Sequence, residues 1–198
     1  MFCDGLVVWV AAERVRPSEW ARVRHFATAA PNTPSALAIG GKAGAGKSTL
    51  RRAGVEAATA AEHRVLCSEP TGSENDMSFA GLTDLLADSF AVLTGDIRAP
   101  QREALEVALL LWPAGTEPPA ERAVGQAVLG VLRGCAAPGP TLIAVDDVHW
   151  LDEASLNALV FALRRLRAVS TAAKSARVSS RSHTCRLTWR MCVTHGLE

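Results

Sequence analysis

The chain has little of what most specialised protein classes require. None of its five cysteines forms a C-x-x-C pair and their number is odd, which excludes a disulfide framework and a zinc knuckle and fits a reducing compartment. No apolar run approaches the roughly 18 residues of a membrane span. The opening stretch Leu6–Ala12 is short and follows Asp4 rather than a basic region, so it reads as neither a signal peptide nor an anchor. A formal net charge of +1 supplies no global field for nucleic acid or a membrane surface. No repeat of solenoid length is visible. Lysine is scarce, three against eighteen arginines in an alanine-rich chain, which reflects a GC-rich genome more than a function. What is left is a cytoplasmic globular protein without membrane partners.

The 198 residues, 48% apolar and 21% charged, suffice for one domain with a sizeable core. PNTP (31–34) breaks the chain before SALAIGG (35–41), a short buried strand ending in glycines. A helix is expected from Lys47 to about Ala61, then a strand at Arg64–Ser68 and a loop over 70–76. From Ser78, Phe79, Leu82, Leu85, Leu86 and Phe90 recur at helical spacing. A further helix starts near Pro100 and runs to Leu111, where PAGTEPP (113–119) ends it. Residues 120–135 carry the stripe Val124, Ala127, Val128, Val131 and Leu132, and Thr141–Val145 is the next strand. The last helix covers about Asp152–Arg167, with Leu156, Leu159, Val160, Leu163 and Leu166 on its apolar side and Asp152 and Ser155 as caps. Strands alternating with helices predict an α/β three-layer sandwich with a mainly parallel sheet.

GKAGAGKS (41–48) fits G-x-x-x-x-G-K-[ST] between a predicted strand and a predicted helix, the setting that gives this phosphate-loop motif meaning. Its four fixed positions arise by chance in roughly one chain of this length in a hundred, before the setting is considered. Gly41, Gly44 and Gly46 let the backbone turn and aim N–H groups at phosphate oxygens, and the following helix adds the positive end of its dipole. Lys47 places a cation on the β- and γ-phosphates, the Ser48 hydroxyl ligates magnesium, and Thr49 lies near the α-phosphate. Lys42, Ala43 and Ala45 complete the set of nucleotide-binding candidates through their backbone; the Lys42 side chain is expected to face solvent.

LIAVDDVHW (142–150) runs an apolar strand into two aspartates. Asp146 is the natural carboxylate for the magnesium hydration shell. Asp147 stands where a hydrolase keeps the group that orients water, but an aspartate is one methylene shorter than glutamate, so it is a conditional base. His149 is a structural residue or a γ-phosphate sensor, and Trp150 is expected beneath the following helix.

Together, GKAGAGKSTL, SFAGLTDLLADSF, APQREALEVALLL and AVGQAVLGVLRGCAAPGPTLIAVDDVHWLDEASLNALVFALRRL resemble the AAA-type ATPase module of the large LuxR-family transcriptional regulators of actinobacteria. These belong to the STAND class of P-loop NTPases. The resemblance covers about residues 13–167. It implies an ATP/ADP switch with Mg2+ and slow hydrolysis, whose nucleotide state controls self-association or DNA binding; DNA would be reached only through a C-terminal helix-turn-helix that this chain lacks. The family opens with V-G-R-x-x-E beside the adenine, whereas residues 15–19 read VRPSE, so Arg16 and Glu19 match and Val15 replaces the glycine.

The end of the chain departs further. The resemblance implies a buried sensor strand between the phosphate-loop strand and the acidic strand, then a helical lid. Residues 1–168 carry 16 Lys+Arg against 19 Asp+Glu, but residues 169–198 carry 5 against 1. Cys185, Leu187, Trp189, Met191 and Val193 alternate with polar residues, including Arg186 and Arg190, as in a half-buried strand. A central parallel strand is apolar on both faces, so this segment is expected at an edge or in a tail, leaving the sheet incomplete at its C-terminal end. The domain reading is a lead-in helix region (1–30), a P-loop core (31–167) and a basic Ser/Arg-rich tail (168–198), which we expect to be out-of-frame translation of a longer regulator gene. Three functions compete. The first is a nucleotide switch, and the second a stand-alone ATPase that uses Asp147 as base and needs a charge-stabilising arginine, with Asp147 and Lys47 as the catalytic candidates. The third is an interaction fragment with a dead nucleotide site.

Overall fold

The computed structural model of the protein describes residues 7–11, 17–29, 35–86, 89, 97–110, 119–175 and 189–196. Five strands, β1 (Val7–Ala11), β2 (Ser35–Gly41), β3 (Arg64–Ser68), β4 (Thr141–Val145) and β5 (Trp189–Gly196), form one sheet in the order β1-β2-β5-β4-β3. Every neighbouring pair is parallel. Six helices accompany them among the described residues: α1 (Pro17–Thr28), α2 (Lys47–Ala60), α3 (Ala80–Leu86), α4 (Ala99–Ala108), α5 (Glu121–Ala136) and α6 (Glu153–Ser175).

Because side chains alternate along a strand, the sheet feeds two cores. Leu37 and Ile39 of β2 and Leu142 of β4 pack with Val23, Phe26 and Ala27 of α1 and Leu50, Ala57 and Ala58 of α2. Leu66, Ile143 and Val145 join the larger cluster with α3, α4, α5 and α6. The three-layer α/β sandwich expected from the sequence is the observed fold. Each fully buried leucine, such as Leu50, Leu132 and Leu166, stabilises it by about 1.5–3 kcal/mol before entropy is counted. Cys67 and Cys135 are free thiols, and burial pushes both above the ordinary thiol value.

Several elements fall where the sequence placed them. β2, β3 and β4 have the predicted bounds, and α2 and α5 differ from theirs by a residue. Others need correction. The lead-in of residues 1–30 is not helical throughout: among the described residues, Val7–Ala11 is an edge strand on β2 and Pro17–Thr28 is helix. The helix expected from Ser78 starts at Ala80, because Phe79 adopts a left-handed φ of 67°. Phe90, Leu111, Arg16 and Val15 lie outside the described residues.

The last helix reaches Ser175, eight residues beyond the expected stop. Its buried face is Ser155, Ala158, Leu159, Ala162 and Leu166, while Leu156 and Val160 are exposed. α6 crosses α5 closely at one point: a Cβ on Gly125 would sit 2.9 Å from Phe161 Cδ1.

The edge or tail position expected for residues 185–194 is overturned for Trp189–Gly196. This strand lies in the middle of the sheet, paired in parallel with β2 on one side and β4 on the other. The governing quantity is backbone satisfaction rather than side-chain pattern. Without a strand in that slot, β2 and β4 would each leave a row of N–H and C=O groups unpaired inside the fold. Residues 185–188 are outside the described residues, as are the β5 side chains.

Candidate functional site

The site is built on the carboxyl ends of β2 and β4, with β5 between them. Two strand spacings, about 10 Å, therefore separate the strand that launches the phosphate loop from the acidic strand end. Register carries the ends to one edge: Ala38, Val193 and Val145 lie in one row, so Asp146 follows one row further, level with Ile39 two strands away.

Gly41 closes β2, and Lys47 opens α2 six residues on. The loop between them needs its glycines. Gly44 has φ 75° and Gly46 has φ 85°, in the left-handed region that costs an L side chain roughly 1–2 kcal/mol. Gly46 is the helix N-cap and offers no side chain, so the first N–H groups of α2 have no side-chain cap. The loop tightens through Ala45 N–H donating to the Lys42 carbonyl (3.2 Å), and the helix starts with Leu50 N–H on Gly46 O (3.0 Å). The Lys47 ammonium folds back over this turn to donate to the Lys42 carbonyl (3.2 Å) and is largely buried. Lys42, Ala43, Gly44 and Thr49 are exposed, and Ala45 and Ser48 half-buried. Lys42 thus points its side chain outward, as the sequence suggested, while its carbonyl holds Lys47.

Across β5, the Asp146 N–H continues the β3–β4 ladder by donating to Ser68 O (3.0 Å), and Asp146 Oδ1 accepts the Asp147 N–H (3.2 Å). Asp147 itself is in the left-handed region (φ 35°, ψ 60°), which aspartate tolerates better than most residues. Its carbonyl accepts Trp150 N–H (2.8 Å) and so begins a single 3-10 turn over Val148–Trp150. His149 and Trp150 lie against one another with ring centroids 4.7 Å apart. Trp150 does not pack beneath α6. It is 42% exposed, with its ring against Gly72, where a Cβ would come within 3.2 Å of the indole.

Two further residues do more than the sequence suggests. Arg51, one turn after Lys47, is 3% exposed and reaches both acidic strand ends. Its Nη2 donates to Glu69 Oε1, and its Nε lies 3.4 Å from Asp146 Oδ2. That Nε makes no hydrogen bond, so the contact with Asp146 is an ion pair without hydrogen-bond alignment. Burial pulls the Arg51 pKa down, but the Glu69 hydrogen bond and the Asp146 and Glu69 charges outweigh it and hold it above the ordinary value. The signal was available: Lys47 and Arg51 are i and i+4, hence on one face of α2.

The second is Asp152. It caps α6 by accepting Ser155 N–H (2.8 Å), as expected, but it also accepts Phe79 N–H (2.8 Å) and Gly81 N–H (3.0 Å). Ser155 is not a cap of its own helix; its Oγ accepts Leu82 N–H (2.9 Å). One buried carboxylate and one hydroxyl thereby bind the N-terminus of α3 to that of α6, directly behind the acidic loop.

The oxygen donors at hand, the Ser48 hydroxyl and the Asp146 carboxylate, suit a hard cation that keeps most of its water. A cavity of about 490 Å³ opens elsewhere, between α4 and α5, lined by Arg98, Gln101, Arg122 and Arg133 among others; it contains none of the residues predicted for the site.

A glycine-bent loop between a parallel strand and a helix, facing an acidic strand end across one intervening strand, defines a P-loop NTPase. The chain belongs, more particularly, to the AAA ATPase domain family, whose model matches residues 15–173. It is a nucleotide-binding domain of that family. Among solved structures it is similar to the ORC2 protein of Aeropyrum pernix in ADPNP–ADP complexes, at 12% identity and a TM-score of 0.42. That likeness covers 94% of this chain, which spans 43% of the ORC2 chain. No curated protein matches the sequence. No helix among the described residues is long and apolar enough to cross a membrane.

Proposed function

We propose that this domain is the ATP/ADP switch of a LuxR-type transcriptional regulator of the STAND class, cytoplasmic, binding Mg-nucleotide with slow or no hydrolysis. The carrying observation is the uncapped start of α2: two left-handed glycines turn the chain so that the first N–H groups of the helix and Lys47 meet at one loop, and Arg51 of the same helix reaches Asp146. In this reading, backbone N–H groups of residues 41–49 hold the phosphates and Lys47 leaves the Lys42 carbonyl for the β- and γ-phosphates. Ser48 and Asp146 hold magnesium, which when bound neutralises phosphate charge. The DDVHWLDEAS segment (146–155) after a phosphate loop supports the regulator family.

Slow turnover is supported by the short reach of Asp147, which stands on a left-handed residue committed to the 3-10 turn. Nucleotide state would be passed on through self-association of the module, and DNA would be contacted by a helix-turn-helix outside this chain. The test is a titration with ATP and ADP, with and without Mg2+, followed by phosphate release over hours. Tight binding with little release agrees with the switch. Steady turnover that Asp147→Asn abolishes would establish an ATPase instead, and failure to bind either nucleotide would leave an interaction fragment.

A further inference from the structure

We propose that Arg51 is a positioning residue that shares the Asp146 carboxylate with the incoming Mg-nucleotide, so that Asp146 exchanges a guanidinium for the metal when nucleotide binds. This rests on the reading of Ser48 and Asp146 as the magnesium side of the site.

Three observations carry it. Arg51 is 3% exposed, so its permanent charge is committed to this corner of the fold rather than to solvent. Its two contacts are unequal in kind. The Nη2 atom is hydrogen-bonded to Glu69 on β3's end, while Nε meets Asp146 at 3.4 Å and remains without a hydrogen bond. Register explains the geometry, because Ser68 pairs with Val145 and so Glu69 and Asp146 stand side by side with Arg51 spanning them. The guanidinium therefore keeps one anchor when the other carboxylate turns away. Asp146, in turn, is mostly buried, with a side-chain exposure of 14%. A buried carboxylate next to the phosphate loop would repel phosphate if left uncompensated, and Arg51 supplies that compensation. An aligned bidentate pair would hold Asp146 too firmly to be released; an unaligned Nε contact does not.

The consequence is a defined dependence of nucleotide affinity on Mg2+. Arg51→Met leaves Asp146 without the guanidinium, so ADP binding weakens in EDTA while Mg2+ gains value at the site. The ratio of the ADP affinity in Mg2+ to that in EDTA is expected to rise about tenfold over wild type, with Arg51→Lys in between. Glu69→Gln removes the charge of the competing anchor, so Arg51 leans more on Asp146 and the ratio falls. Glu69 has a side chain 68% exposed, so this variant folds and decides the matter even where Arg51→Met does not.

Fluorescent ADP titrations of the full chain in both conditions read these ratios. An arginine that merely supported the fold would weaken both affinities together and leave the ratio unchanged. Ratios within about twofold of wild type in Glu69→Gln and in whichever Arg51 variant folds overturn the inference alone. Wild-type protein that binds ADP in neither condition overturns the nucleotide reading and this inference with it.

Discussion

Replacing Asp152 by alanine should unfold this domain more readily than any substitution of an exposed charge. The carboxylate is 3% exposed and accepts three backbone N–H groups, from Phe79, Gly81 and Ser155, at 2.8, 3.0 and 2.8 Å. Alanine leaves all three donors without this acceptor, at about 1–3 kcal/mol each for a buried group. Relaxation of the short α3 segment recovers part of that sum, which leaves a loss of about 3–5 kcal/mol. Domains of this kind have about 5–15 kcal/mol in total. Asp152→Asn keeps the Oδ1 acceptor but turns an amide toward Gly81 N–H, so its loss is about 1–3 kcal/mol. With a urea m-value of about 2 kcal/mol/M, the alanine variant should unfold roughly 1.5–2.5 M earlier, with the asparagine variant between it and wild type. The assay is equilibrium urea unfolding followed by far-UV circular dichroism. A midpoint shift below about 0.3 M for Asp152→Ala would refute the claim that this carboxylate joins α3 to α6.

Three other outcomes follow from the same geometry. Gly125→Ala adds a Cβ 2.9 Å from Phe161 Cδ1 and 3.1 Å from Cγ, and overpacking of about 1–3 kcal/mol exceeds the roughly 1 kcal/mol gained in helix propensity. A lower melting temperature in differential scanning calorimetry checks it. Lys47→Met should retain the fold, since the ammonium makes one hydrogen bond to the Lys42 carbonyl, yet weaken Mg-ADP at least a hundredfold in calorimetric titration. Burial and the nearby Glu74 and Glu69 raise the Asp84 pKa, with burial the larger effect. A carboxylate that binds its proton more tightly folded than unfolded loses stability as pH rises through the window above the ordinary aspartate value. Asp84→Asn should therefore have a higher urea midpoint than wild type at pH 7, and the difference should vanish below that value.

What the sequence revealed was whatever local chemistry fixes. The loop was legible because left-handed turns need glycine at 44 and 46 and because Lys47 opens the helix that follows them. β4 was legible because a strand buried on both faces is a continuous apolar run. What stayed hidden depends on partners distant in the chain. Leu156 and Val160 fall on the apolar side by helical spacing, but the tertiary partners of α6 bury Ala158, Leu159, Ala162 and Leu166 and leave those two exposed. Asp152 reads as an ordinary helix cap, and nothing local reveals that Phe79 and Gly81 arrive from more than seventy residues away. Arg51 reads as a solvated helix charge until β3 and β4 bring Glu69 and Asp146 beneath it. The alternation in residues 185–194 argued for an edge, but the open backbone rows of β2 and β4 require a strand between them.

The most direct test of the switch reading is calorimetric titration of the wild-type chain with ADP and with ATP, in Mg2+ and in EDTA, followed by phosphate release. Saturable binding of one nucleotide per chain, tighter in Mg2+ and followed by little release over hours, is the predicted result. No saturable binding of either nucleotide, or rapid release at every ATP concentration, would contradict it.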